Sequence, residues 1–269
     1  MDNFILSAFG DEIHNDIKVQ MDVLEKNNIK YIELRGVNGK NISDYTPVEI
    51  KEIAIQMQQR GFGTSAIGSP IGKIGILDDF AGHFDKFKNT LELAKILGTQ
   101  QIRMFSFYIP KGEAPEKYRD AVLERWFKFI EAAKGYDLML LHENEHAIYG
   151  ESPECCYDLI TSLNCPYVKA IFDPANFAVD GYDTIKAFDL LKELSVYLHI
   201  KDAIFKTHKI VPPGEGDGNV EYILKQLKKR DYKGFLSIEP HLAIGDIAVG
   251  GTELFEKAAN ALKNIINRI

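Results

Sequence analysis

One segment of this chain, centred on Glu143, reads LLHENEH, and its last five residues satisfy the pattern H-E-x-x-H. On one face of a helix, this spacing presents two histidines to a zinc ion and a glutamate as general base. In a strand the side chains alternate between two faces, so that Glu143 and Glu145 point one way and the residues around them the other. The chemistry of the segment therefore depends on whether it forms a helix or a strand.

Short runs of apolar, β-branched and aromatic residues recur along the whole chain, and a stretch with helical periodicity follows each of them. We predict strands at 4–9, 31–35, 62–67, 102–107, 138–143, 168–173, 196–201 and 235–239. The predicted helices are 17–27, 47–60, 84–97, 117–134, 153–163, 184–194, 220–229 and 252–266. This alternation predicts one α/β domain over residues 1–269, a single (β/α)₈ TIM barrel. A doubly wound open sheet fits less well, because no G-x-G-x-x-G follows the first strand.

The fifth predicted strand contains the first part of LLHENEH, so we interpret the segment as a strand that ends at Glu143. TIM-barrel enzymes place their chemistry at the C-terminal ends of the strands. Strands five to eight end at or near Glu143, Asp173, His199 and Glu239. One such residue alone would be read as an ordinary polar strand end paired with a loop cation. Three carboxylates buried together need a cation, and with one imidazole they suit Mn²⁺, Mg²⁺ or Co²⁺ and tolerate Zn²⁺. We predict that these four residues bind one divalent metal ion.

Other strand ends supply candidate substrate-binding groups. Glu33 and Arg35 end the second strand on one face, and they form either a buried ion pair or part of the substrate site. Lys201 points in the same direction as His199, where it either balances the carboxylates or neutralises an anionic group of a substrate or enediolate. Arg103 lies near the start of the fourth strand, which predicts a place in the barrel core or at its bottom face.

Two loops and two further positions complete the candidate substrate site. GSPIGK at 68–73 lacks the P-loop spacing, and we interpret it as a mobile βα loop in which Lys73 is an anion contact. PPGEGDG at 212–218 predicts a tight turn that brings Glu215 near the site. Glu145 and His241 each lie two residues past a predicted ligand, where they could hydrogen-bond hydroxyl groups or orient ligands.

Seven motifs occur in a fixed order: SAFGDEI, IELRGV, LLHENE, FDPANF, HIKDA, PPGEGDG and IEPHL. Together they resemble the sugar phosphate isomerase/epimerase branch of the xylose-isomerase-like TIM barrels, over essentially the whole chain. The resemblance implies the same four metal ligands, and it implies that Glu143 and Glu239 act as an acid/base pair on opposite faces of a bound sugar. Ketose 3-epimerases of this group have a substrate-binding histidine where this chain has Asn176, and an arginine where it has Phe205. These differences argue against a free-ketose 3-epimerase and leave the metal site unchanged.

The predicted function is therefore a metal-dependent isomerase or epimerase that acts on a small sugar or sugar derivative through an enediolate. Three alternatives stay open: a lyase of the inositol-ketone dehydratase type on the same site, a phosphodiester hydrolase and a non-catalytic sugar-binding barrel. The formal net charge of −7 argues against the hydrolase and against a nucleic-acid partner.

Composition also bears on location. The odd count of three cysteines indicates a reducing compartment rather than a disulfide framework. The N-terminal residues do not form a signal peptide, and no apolar run approaches the length of a membrane span. We predict a cytoplasmic protein without a membrane partner, and a homo-oligomer formed through the outer helices stays open.

Overall fold

The computed structural model describes residues 4–242 and 251–269. Eight strands form one closed, parallel barrel, in which the first strand pairs with both the second and the last. They are β1 (Ile5–Phe9), β2 (Tyr31–Leu34), β3 (Gly63–Ile67), β4 (Gln101–Met104), β5 (Met139–Glu143), β6 (Val168–Phe172), β7 (Ser195–Ile200) and β8 (Phe235–Ile238). The predicted TIM barrel is thereby confirmed, and LLHENEH is the end of a strand.

Helices surround the barrel and follow the predicted order. They are α1 (Ile17–Lys26), α2 (Pro47–Gln59), α3 (Ala81–Leu97), α4 (Arg119–Ala133), α5 (Pro153–Leu163), α6 (Pro174–Val179), α7 (Thr184–Leu191), α8 (Val220–Lys229) and α9 (Gly251–Arg268). Among the α-helices of the described residues, α6 was not predicted, because six residues are too few to show a helical period. No helix in the described ranges combines the length and apolar character that crossing a membrane requires.

The loops after β2 and β7 carry small antiparallel hairpins, at residues 36–41 and 202–211. Most apolar side chains lie between the strands and the helices. A smaller apolar cluster fills the barrel interior and consists of Ala66, Leu141, Ile171 and Tyr197. Polar groups lie beside it, since the Ser65 hydroxyl is 2.6 Å from that of Ser7 and 2.9 Å from that of Tyr197. Buried hydroxyl groups thus lie next to this apolar cluster.

Candidate metal centre

Four side chains from four adjacent strands converge at the C-terminal end of the barrel. Glu143 ends β5, His199 lies in β7, and Asp173 and Glu239 directly follow β6 and β8. One ligand-type atom of each residue lies within 4.8 Å of the others. His199 Nδ1 is 2.8 Å from Glu143 Oε1, 3.6 Å from Glu239 Oε2 and 3.9 Å from Asp173 Oδ2. All four side chains are at most 3% exposed. The structure therefore brings together the four residues that were predicted as metal ligands.

Asp173 has a second task, because it is also the N-cap of α6. Its Oδ1 accepts a hydrogen bond from the backbone N–H of Asn176, and Asn144 donates to its carbonyl oxygen while accepting from its N–H. The Asn176 amide donates to the carbonyl oxygen of Asn144. These bonds fix the carboxylate, so that Oδ2 faces the cluster. The Asn176 side chain thus connects the segment after β6 to the loop after β5.

Glu33 lies behind His199 and is fully buried. Its carboxylate oxygens are each 3.2 Å from His199 Nε2, and Oε2 also accepts a hydrogen bond from the Tyr197 hydroxyl at 2.8 Å. A carboxylate at one imidazole nitrogen orients the ring so that the other nitrogen faces a metal ion. Glu33 is therefore placed to support His199 rather than to reach a substrate.

The predicted ion pair between Glu33 and Arg35 does not form. β2 ends at Leu34, so the alternation of faces does not continue to Arg35. Arg35 instead donates to Asp11 at 2.7 Å, to Glu12 at 2.8 Å and to Glu239 at 2.9 Å. The first two acids belong to the motif SAFGDEI, for which no role in the site was predicted.

His241 joins this network at the edge of the site. Its Nε2 lies 2.9 Å from Glu12 Oε1 and 3.4 Å from Glu239 Oε1, and its backbone N–H donates to Glu12. The side chain is 41% exposed, so one side of the ring faces solvent. Arg35 and His241 thus hold Glu239 from the side that is opposite to β7.

Two buried cations face the carboxylates directly. Lys201 Nζ lies 2.9 Å from Asp173 Oδ2 and 3.2 Å from Glu239 Oε2, which fits its predicted charge-balancing role. Arg103 Nη1 lies 3.3 Å from Glu143 Oε2. Arg103 is buried, as a core position predicts, but the predicted alternative of a bottom-face position is wrong. β4 has four residues and ends at Met104, so Arg103 lies near its C-terminal end.

The close packing of charges shifts the pKa values of the cluster. Burial alone would raise the pKa of Glu143, but the positive charges of His199 and Arg103 outweigh it and lower the pKa to about 2. The pKa of Glu239 is also lowered against the effect of burial, chiefly by Lys201 and His241. Burial raises the pKa of Asp173, and the surrounding carboxylates raise that of His199. The cluster therefore holds several negative charges that require positive partners.

The donor set fits a divalent cation. Two buried oxygens, Glu143 Oε2 and Asp173 Oδ2, accept no hydrogen bond from the described residues, although Arg103 and Lys201 pair with them by charge. An unsatisfied buried carboxylate oxygen is costly unless a cation binds it. Three carboxylates and one imidazole form a ligand set that suits Mn²⁺, Mg²⁺, Co²⁺ or Zn²⁺.

Two histidines of the H-E-x-x-H pattern lie outside the cluster. His142 is buried on the other face of β5, with Nε2 2.9 Å from the Ser106 hydroxyl, and burial lowers its pKa to about 3. His146 is exposed and pairs with Asp180 at 2.8 Å. His146, Glu151 and Asp180 form a second, more exposed group of ligand-type side chains. A third group consists of Glu12, Glu239 and His241.

The rim of the site is made by loops. Lys73 pairs with Glu145 at 2.7 Å across the loops after β3 and β5. The loop that carries Lys73 was interpreted as mobile, but its backbone pairs with the loop after β4, through Phe105 N–H to Ile71 O at 2.7 Å and Phe107 N–H to Gly72 O at 3.0 Å.

The loop at 212–218 is held in place by the side chain of Asp202. The buried Asp202 carboxylate accepts hydrogen bonds from the backbone N–H groups of Gly214, Gly216 and Gly218. The tight turn is therefore present. Glu215, which was predicted to lie near the site, is exposed to solvent on this turn.

Residues 21–265 match the family model described as xylose isomerase-like TIM barrel. The chain belongs to this family. A search of the curated proteins finds no match. Among solved structures, a D-tagatose 3-epimerase-like protein is 15% identical, with a TM-score of 0.80 and 98% of both chains covered. The IOLI protein with a bound zinc atom is also 15% identical, with a TM-score of 0.80 and coverage of 98% of this chain and 99% of that one. The probable 3-DHS dehydratase AsbF from Bacillus anthracis is 17% identical, with a TM-score of 0.78 and coverage of 97% and 99%.

Proposed function

We propose that this protein is a divalent-metal-dependent isomerase or epimerase of a small sugar or sugar derivative. One observation carries the proposal: two buried glutamates share a ligand-type cluster but come from β5 and β8, which two other strands separate. Glu143 and Glu239 therefore approach the cluster from different directions. Structures with the same fold include proteins described as epimerases and one with a zinc atom, which supports the proposal.

Glu143, Asp173, His199 and Glu239 would hold the metal ion. When bound, a divalent ion supplies a Lewis acid that holds adjacent oxygens of a sugar and stabilises the negative charge that develops on them. The chain supplies the proton transfer. Both glutamates are carboxylates at neutral pH, because neighbouring cations lower their pKa values. One of them removes the proton from the carbon and later releases it to solvent. The other takes up a proton from solvent and delivers it to the carbon, so that no proton is gained or lost over the cycle.

The surrounding residues prepare this transfer. Glu33 holds His199, Lys201 balances Asp173 and Glu239, and Arg35 fixes Glu239. The cluster is buried, so bulk water does not screen these charges and each electrostatic contact is stronger than it would be in solution. Lys73 and Glu145, at the rim, are only partly exposed and are placed to contact the polar groups of a sugar.

The test is uptake of solvent deuterium into a panel of aldoses and ketoses, in D₂O with Mn²⁺. We expect Glu143→Gln and Glu239→Gln each to lower the exchange rate by about 10²- to 10⁴-fold, because each removes a proton-transfer group. The far-UV circular dichroism of both variants should match the wild type. Glu131→Gln, in an exposed ion pair on α4, should exchange at the wild-type rate. Full exchange in either active-site variant would exclude the proposal.

A dehydratase is the second candidate, because the probable 3-DHS dehydratase has the same fold over nearly the whole chain. The first step would be the same proton removal, after which a hydroxyl group leaves from the neighbouring carbon. The same experiment separates the two reactions. Deuterium in the recovered sugar supports the isomerase or epimerase, whereas a product that has lost water supports the dehydratase.

A further inference from the structure

Arg103 reaches the space between the two glutamates. Its Nη1 lies 3.3 Å from Glu143 Oε2 and 3.9 Å from Glu239 Oε1, and its side chain is 6% exposed. A buried arginine is always charged, so it brings a permanent positive charge to this position.

The rest of the guanidinium is fixed by the protein. Its Cζ lies 5.2 Å from the centroid of the Phe9 ring and 5.0 Å from that of the Phe105 ring, and both aromatic side chains are buried. Its Nε donates to the carbonyl oxygen of Ser69, and Nη2 donates to that of Gly68. Nη1 is therefore the nitrogen that is directed at the carboxylates, and its position is set before any substrate binds.

We propose that Arg103 is a further catalytic residue, whose Nη1 donates a hydrogen bond to the substrate oxygen that gains negative charge. The inference rests on the proposed proton transfer. In that step the C–H bond breaks and the proton goes to one glutamate. The electron pair of the bond forms a carbon–carbon double bond, and the carbonyl π pair moves onto the oxygen. The other glutamate, once it has taken up a proton from solvent, delivers it to the carbon. The C–H and carbonyl bonds then form again and the negative charge leaves the oxygen.

The physical basis is preorganisation. A donor that is already aimed at the developing charge stabilises the transition state without reorganising in the step itself. Arg103 meets this condition because two rings and two carbonyl oxygens hold it. Its closeness to Glu143 allows a competing role, in which it only holds that carboxylate, and the experiment must separate the two roles.

The chain contains a matched control in Arg125. Its guanidinium also lies over two rings, Phe80 at 4.9 Å and Phe107 at 5.0 Å. It also donates to two carbonyl oxygens of the loop after β3, those of Gly75 and Asp78. Arg125 makes no ion pair with the four clustered residues in the described part of the chain. Arg125→Met thus removes a similar stack without touching the site.

The experiment measures binding by calorimetry to the wild type, Arg103→Met, Arg103→Lys and Arg125→Met. The probes are Mn²⁺ alone and then, with Mn²⁺ present, threonohydroxamate, a planar analogue of an enediolate, and threitol, a neutral polyol of equal length. We expect Arg103→Met to bind threonohydroxamate about 10- to 100-fold more weakly, the range for a charged hydrogen bond. Its affinity for threitol should stay within about threefold. Its affinity for Mn²⁺ should not fall, because the variant removes a positive charge beside Glu143. Arg103→Lys, which keeps the charge, should fall between, and Arg125→Met should match the wild type.

Two results would overturn the inference. Unchanged binding of threonohydroxamate in Arg103→Met would show that Nη1 does not contact the developing charge. A parallel loss of Mn²⁺ and threonohydroxamate affinity would show that Arg103 only holds Glu143 in place. If the wild type with Mn²⁺ binds no threonohydroxamate, the proposed function itself fails and the inference falls with it. The wild-type measurement therefore separates the two failures.

Discussion

His199 connects the inside of the barrel with the candidate metal centre. Its Nδ1 faces Glu143, Asp173 and Glu239, whereas its Nε2 faces Glu33, which in turn accepts from Tyr197. Carboxylates at both nitrogens raise the pKa of the imidazole against the effect of burial. If His199 held a metal ion through the nitrogen that faces the cluster, Glu33 would still accept a hydrogen bond from the other nitrogen.

This arrangement predicts the effect of Glu33→Gln. The variant should bind Mn²⁺ about 10- to 100-fold more weakly in calorimetry, because the imidazole loses the carboxylate that orients it and raises its basicity. Glu151→Gln is the control, since Glu151 lies in the more exposed group with His146 and Asp180. The assignment would be contradicted if Glu151→Gln lost Mn²⁺ affinity and Glu33→Gln kept it.

At the scale of elements, the short strands continue as paired loops. The loop after β4 pairs with the loop after β3, and it also pairs with the loop after β5, through Tyr149 N–H to Phe107 O at 3.1 Å and Ile109 N–H to Ala147 O at 2.9 Å. His83 at the start of α3 anchors the loop after β3, because its Nε2 accepts a hydrogen bond from the Gly72 N–H group at 2.7 Å. Lys73 is thereby held at the rim of the site.

The His83 contact predicts a pH dependence of stability. Burial, with the positive charges of Lys86 and Arg125, lowers the pKa of His83 to about 4 from an ordinary 6.5. In the unfolded chain His83 binds a proton below about pH 6.5, whereas in the folded chain it does so only below about pH 4. The contribution of neutral His83 to the free energy of unfolding is therefore lost as the pH falls from about 6.5 to about 4. Urea unfolding between pH 7 and 4 should show a steeper loss for the wild type than for His83→Gln. Parallel curves would contradict this account.

The elements were largely predictable from sequence, because strand and helix signals are local. All eight strands and the four clustered residues were located this way, since a polar residue at the end of an apolar run is visible in the sequence. Pairing across the barrel was not predictable in this way. Glu33 and His199 are 166 residues apart in the chain, and the place of Arg103 depends on where β4 stops pairing.

At the scale of the whole molecule, closure of the barrel brings residues of its first and last strands together around the site. β5 to β8 provide the four ligand-type residues, whereas β1, β2 and β4 or the residues that follow them provide Phe9, Arg35 and Arg103. Arg35 and Arg103 both lie over the Phe9 ring, at 4.6 and 5.2 Å. The four ligand-type residues thus come from one half of the barrel, and two fixed guanidinium groups reach them from the other half.

The most direct measurement is an anomalous difference map at the manganese edge, from crystals of the protein grown with Mn²⁺. The account predicts one strong peak in the barrel mouth, within coordination distance of Glu143, Asp173, His199 and Glu239, and no such peak in crystals of Asp173→Asn. A map without that peak in the wild type, or with its only peak beside His146, Glu151 and Asp180, would contradict the account.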